Sequence, residues 1–128
     1  GKDKVSKAVI DKSFSIYSPT SLIRLFADCY EIKTVEGILN LNMLRVTDIS
    51  HMFYNCFMLE QIDLSDLDVT SVTNMQNLLG NCFSLKKANL SGLNARNVID
   101  MSSMFEIVEV CLIWTSAALI PLMIQQWL

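Results

Sequence analysis

One histidine, His51, is the only imidazole in the chain, so a His-ligated metal site or a nucleophilic triad is hard to build. Nothing places Ser, Asp and His together. The four cysteines include no C-x-x-C pair, which removes zinc-ribbon and thioredoxin-like readings. No block of Lys or Arg occurs, and the formal charge is −3, so the basic footprint of a nucleic-acid binder is missing. Gly37, Gly80 and Gly92 stand alone, which excludes a glycine-rich phosphate loop. The first twelve residues contain no apolar run of the signal-peptide kind and no initiator Met. The chain therefore reads as a fragment of a longer protein. What it does contain is apolar material. Hydrophobic residues make up 52% and charged residues 18% of 128, enough for one packed domain and too apolar for disorder.

A repeat organises that material. Val46–Ser71 and Val72–Asn97 are ungapped blocks of 26 residues with nine identities. A third block begins at Val98 as VIDMSSMF. Upstream, Leu25-Phe26-Ala27-Asp28-Cys29 matches Met52-Phe53-Tyr54-Asn55-Cys56 at an offset of 27. Within a block, Ile49, Met52 and Phe53 follow helical spacing, which predicts a short helix with Asp48, or Asn74 in the next block, at its N-cap. Leu59, Ile62 and Leu64 then predict a strand with Ile62 and Leu64 facing inward, repeated by Leu85, Ala88 and Leu90. Ser65-Asp66 and Ser91-Gly92 supply turns. Neither half can bury its apolar face alone, so the unit of stability is a stack of blocks. The expected fold is a leucine-rich-repeat-like α/β solenoid, with short helices on one side and a parallel strand ladder on the other. Residues 1–19 form the N-terminal cap, with Val9, Ile10, Phe14 and Tyr17 over the first rung and Pro19 at the junction. Residues 20–105 form about 3.5 rungs, and 106–128 an aberrant apolar tail.

The pattern Val46-Thr47, Met52-Phe53, Cys56, Leu59, Ile62-Asp63-Leu64-Ser65, Asp68 resembles the Met-Phe-motif branch of the BspA-like leucine-rich-repeat proteins of bacterial surfaces. The second rung, Val72-Thr73-Asn74-Met75, Cys82, Leu85, Asn89-Leu90-Ser91 and Asn94, resembles it as well. So does the N-terminal part, through Val9-Ile10-Asp11, Ser13-Phe14 and Pro19-Thr20-Ser21. The resemblance covers roughly residues 8–105. It implies a non-catalytic protein- or glycan-interaction module of a surface or secreted bacterial protein, with its partner on a host or neighbouring cell surface. It implies no cofactor, no metal and no enzymatic residue.

Individual residues fit that frame. Cys29, Cys56 and Cys82 recur at one rung position and read as a column of free, buried thiols, because stacked side chains point one way and neither pair nor converge on a metal. Cys111 is expected to be a free thiol as well. Asp28, Asn55 and Asn81 are expected to bond backbone groups at the corner that follows the helix. Met52, Met75, Met101 and Met104 read as core, and His51 as exposed. The candidate ligand-binding face is the outer side of the strands: Gln61, Asp63 and Ser65, then Lys87, Asn89 and Ser91. Glu60 and Lys86 on adjacent rungs are expected to pair weakly across it.

The tail departs at Glu106-Ile107-Val108, where the pattern calls for Asn-Cys after Glu106. From Val110 to Leu128 there is no charge, long enough to suggest a membrane-spanning helix, and this makes a membrane-anchored protein with a C-terminal span the alternative function. Pro121, Gln125 and Gln126 argue against a span. A shifted reading frame explains the tail better, since restoring one nucleotide after Glu106 returns Asn-Cys and then a family-like rung. On that reading the tail does not continue the ladder and collapses onto the open end of the third rung as a cap.

Overall fold

The computed structural model describes residues 6–108, 112–115, 117 and 119–127. Among these residues the chain is a small mixed α/β structure of short parallel strands in two sheets, with one α-helix. Strands β1 (Lys7–Val9) and β2 (Thr34–Glu36) pair with each other. Strands β3 (Gln61–Asp63), β4 (Lys87–Leu90) and β5 (Leu112–Thr115) form the second sheet in that order. Lys7 faces Thr34, Gln61 faces Lys87 and Lys87 faces Leu112, which are spacings of 27, 26 and 25 residues. Equivalent positions of successive repeats therefore lie side by side. Helix α1 (Ile120–Trp127) ends the described chain.

The strand halves follow the alternation. Leu59, Ile62 and Leu64 are buried, as are Leu85, Ala88 and Leu90, while Gln61, Asp63 and Lys87 are exposed. Met52, Met75, Met101 and Met104 are all fully buried in the core beside Ile49, Phe53 and Leu79.

The other half of each repeat corrects the expectation of short helices. Residues 49–56 form consecutive turns. Met52, Tyr54 and Cys56 N–H groups donate back three residues, to Ile49, His51 and Phe53 O at 3.1–3.2 Å. The intervening Ile49, His51, Phe53 and Asn55 N–H groups donate forward to Asn74, Gln76, Leu78 and Gly80 O of the next repeat at 2.9–3.0 Å. An α-helix keeps its N–H groups to itself, so it cannot bond to a neighbouring rung. Alternate donors are free to do so here because His51 and Asn55 are left-handed, with φ of 57° and 63°. The same two positions are left-handed at Arg24 and Asp28, Asn77 and Asn81, and Ser103 and Ile107. Asp48 and Asn74 still act as caps of a kind: their Oδ1 atoms accept from Ser50 N and Gln76 N at 2.8 and 2.9 Å.

The cap closes the first rung only in part. Ile10 is buried, but Val9, Phe14 and Tyr17 are more than half exposed or close to it, and they border an apolar hollow of about 430 Å³. Residues 1–5 lie outside the described residues. The tail reading is also corrected. Residues 112–115 extend the ladder as β5, which the shifted-frame reading does not allow. An open parallel edge bonds to any extended segment brought to it, whatever its repeat pedigree. The expected collapse onto the third rung does occur, through α1. Gln126 Oε1 accepts from Met101 N at 2.6 Å, its Nε2 donates to Ile99 O at 3.0 Å, and Leu119 is buried. Among the described residues no helix is long and apolar enough to cross a membrane.

Candidate functional site

The strand side is assembled from short, alternating segments. Ile62 and Ala88 anchor β3 and β4 in the core and turn Gln61, Asp63, Lys87 and Asn89 outward. At their lower end the two sheets are joined, since Glu60 N donates to Lys33 O at 3.1 Å. Beyond that point β2 and β3 no longer pair, and a groove of about 560 Å³ opens between and across the strands. Its walls are Thr34, Val35 and Glu36 on one side and Gln61, Ile62 and Asp63 on the other, with Lys87, Asn89 and Ser91 continuing the surface.

Five of the six candidate residues, Gln61, Asp63, Lys87, Asn89 and Ser91, thus share one groove. Ser65 is half-buried beyond its wall, with its N–H bonded to Asp63 Oδ1 at 2.9 Å. Asn89 Oδ1 is similarly tied, accepting from Ser91 N at 3.0 Å and from Ser91 Oγ at 2.6 Å. These bonds hold the side chains in fixed directions, and Lys87 and Gln61 stay exposed. Glu60 and Lys86 form no ion pair with each other; they meet through their backbones, Lys86 N donating to Glu60 O at 2.9 Å. The groove mixes acid, base, amide and hydroxyl groups over a narrow apolar floor. Such a surface can hydrogen-bond an extended polar ligand. It holds no grouped acids and bases of the kind proton transfer needs.

The turn side is built for stacking. Asn55 Nδ2 donates to Asp28 Oδ1 at 2.9 Å, and Asn81 Nδ2 donates to Asn55 Oδ1 at 2.9 Å. These side chains bond to one another rather than to the corner backbone, which corrects the role expected of them. Cys29, Cys56 and Cys82 are free thiols in one column; Cys56 and Cys82 are buried and Cys29 half-buried. Cys56 Sγ donates to Phe26 O and Cys82 Sγ to Phe53 O, each at 3.2 Å. Burial, reinforced by the neighbouring thiols, pushes the Cys56 thiol well above its usual range, so it is a filler and a poor nucleophile. Cys111 lies outside the described residues. His51 is half-buried, not exposed, with its ring edge-on to Tyr54 at 5.0 Å. Among the described residues no group of three or more His, Cys, Asp or Glu side chains could hold a metal ion.

One column escaped the sequence reading. Tyr30, Phe57 and Phe83 stack in series, 4.9 Å between successive ring centres. Their spacing of 27 and 26 residues was visible in the repeat. Because the rings cover one another's faces, mainly edges are left for solvent, so the column is better suited to rigidifying the stack than to cradling a sugar.

The family described as "Mycoplasma protein of unknown function, DUF285" matches residues 20–110, and the chain belongs to it. No curated protein and no solved structure matches the chain.

Proposed function

We propose that this chain is a leucine-rich-repeat-like solenoid that acts as a non-catalytic interaction module, binding a protein or glycan along its strand side. The observation that carries the reading is the groove, which draws side chains from three successive strands into one continuous polar surface. Solenoids present extended surfaces of this kind, where each rung adds one small increment of contact. The 26-residue spacing and family membership support the repeat architecture. The likeness of Met52-Phe53, Cys56 and Ile62-Asp63-Leu64-Ser65 to BspA-like proteins supports a place at the cell surface or in secretion, with the partner on a host or neighbouring cell. In this reading the chain needs no cofactor and binds no nucleic acid.

Screening the chain against glycan arrays and displayed extended peptides tests the proposal. A ligand retained by the parent chain is expected to be lost, by about tenfold or more in affinity, when Gln61, Asp63 and Lys87 are replaced together by Ala. Equal retention by that variant would overturn the assignment of the face. The alternative of a C-terminal membrane span gains nothing from a tail folded as β5 and α1.

A further inference from the structure

The two ends of the stack are unequal in a complementary way. Strand layers run β1 to β5, and turn segments at residues 21–28, 48–55, 74–81 and 100–107 lie beside β2 to β5. Among the described residues β1 has no turn segment of its own. At the opposite end α1 lies against the last turn segment through Gln126, one layer beyond β5. The strand side therefore projects by one layer at the first end, and the turn side by one layer at the last.

The vacant position beside β1 has a definite chemistry. At every rung N–H groups point forward and carbonyls point back. Leu22, Arg24, Phe26 and Asp28 donate to Asp48, Ser50, Met52 and Tyr54 O. The carbonyls of Ser21, Ile23, Leu25 and Ala27, which occupy those acceptor positions in the first rung, accept no hydrogen bond among the described residues. Leu25 is 43% exposed, whereas its counterparts Met52, Leu78 and Met104 are at 0%. The apolar hollow bordered by Val9, Phe14 and Tyr17 lies against it. Helix α1 has the matching relief. Leu122, Met123 and Gln126 turn toward its own last rung, while Ile120 and Ile124, 44% and 53% exposed, and Gln125 form an outward face.

We propose that α1 of one copy seats in the first-rung hollow of the next, with Ile120 and Ile124 against Leu25 and the Gln125 amide available to the open carbonyls. β1 of the second copy then lies beside β5 of the first, parallel as every other strand pair in the molecule is. The contact joins two different surfaces, so it is head-to-tail and continues from copy to copy.

Sedimentation velocity of the whole chain over a concentration series tests this. The average mass is expected to rise with concentration without stopping at a dimer. Ile124→Glu and Leu25→Glu, both at exposed positions and checked for folding by circular dichroism, are each expected to raise the dissociation constant at least about tenfold, because each puts an unpaired carboxylate into an apolar contact. Mixing the two variants is the decisive arm. Each keeps one intact end, so the mixture is expected to form a one-to-one dimer and grow no further. A chain that stays monomeric throughout, variants that associate as well as the parent, or a mixture that does not pair would overturn the proposal.

Discussion

Asn81 marks the point where the side-chain ladder ends. Its Nδ2 donates to Asn55, but its Oδ1 is buried without a partner. The residue one rung on is Ile107, which has no amide to offer and which adopts a left-handed φ of 61° despite its branched Cβ. Asn tolerates that conformation and Ile resists it, at a cost of roughly 1–2 kcal/mol. Ile107→Asn is therefore expected to stabilise the chain by about 1–3 kcal/mol, by relieving strain and capping a buried acceptor. Denaturant melts measure this, and an unchanged or lower midpoint would contradict it. The absence of Asn at 107 was legible as a break in the repeat; its consequence was not, because only the structure shows Asn81 leaning on its successor. Acid sensitivity also belongs to single residues. The Thr70 N–H and hydroxyl hold the Asp68 carboxyl below its usual value, and the Ser102 hydroxyl and N–H do the same for Asp100. A lowered folded value means the stabilisation is complete above the unfolded value of about 4 and is lost as pH falls through the folded one. Asp68→Asn with Asp100→Asn keeps both acceptors, as Asn94 and Asn74 show at the same columns. Stability of that double variant is expected to vary less with pH below about 4, and a slope equal to the parent's in acid melts would refute the assignment.

Each element of the repeat carries a different share of the fold. The strands were legible, because alternation at residues 59–64 and 85–90 leaves only one facing that buries Ile62, Leu64, Ala88 and Leu90. Leu64→Ala and Leu90→Ala are expected to cost about 2–5 kcal/mol each. Gln61→Ala and Lys87→Ala on the opposite face are expected to cost less than about 0.5 kcal/mol. Similar losses in all four melts would mean the facing is wrong. The turn segments were misread, because the spacing of Ile49, Met52 and Phe53 serves a helix and a series of turns equally well. The signal that separates them is polar. Asn77 and Asn81 stand four residues apart, at positions suited to positive φ, and a helix has no use for that pairing. Turns also pack more closely than helices. A Cβ placed on Gly92 would lie 2.0 Å from Ser65 O of the preceding repeat. Gly92→Ala is therefore expected to destabilise by at least about 1–3 kcal/mol through backbone overpacking, while the open position of Asp66 in the earlier repeat tolerates Ala. Paired thermal melts of the two variants check the contrast, which equal shifts would erase.

At the scale of the whole molecule, stability and recognition fall on opposite sides. Aromatic, cysteine and asparagine columns stack on the turn side, where nearly every polar group serves the neighbouring rung. The strand side keeps Gln61 and Lys87 exposed over a groove whose opening depends on β2 parting from β3. That parting was not legible, since the repeat pattern predicts unbroken pairing and the one-residue surplus in the first interval gives no hint of where the ladder opens. The tail was illegible for a related reason: β5 joins through backbone bonds, which any sequence can offer. The central claim is that the strand-side groove is the recognition surface. The measurement that tests it most directly is an amide chemical-shift map of the labelled chain, titrated with the best ligand from the array screens. The account predicts perturbations confined to residues 34–36, 61–63 and 87–91, with the turn segments at 48–55 and 74–81 unmoved. Perturbations centred on the turn segments, with the groove silent, would contradict it.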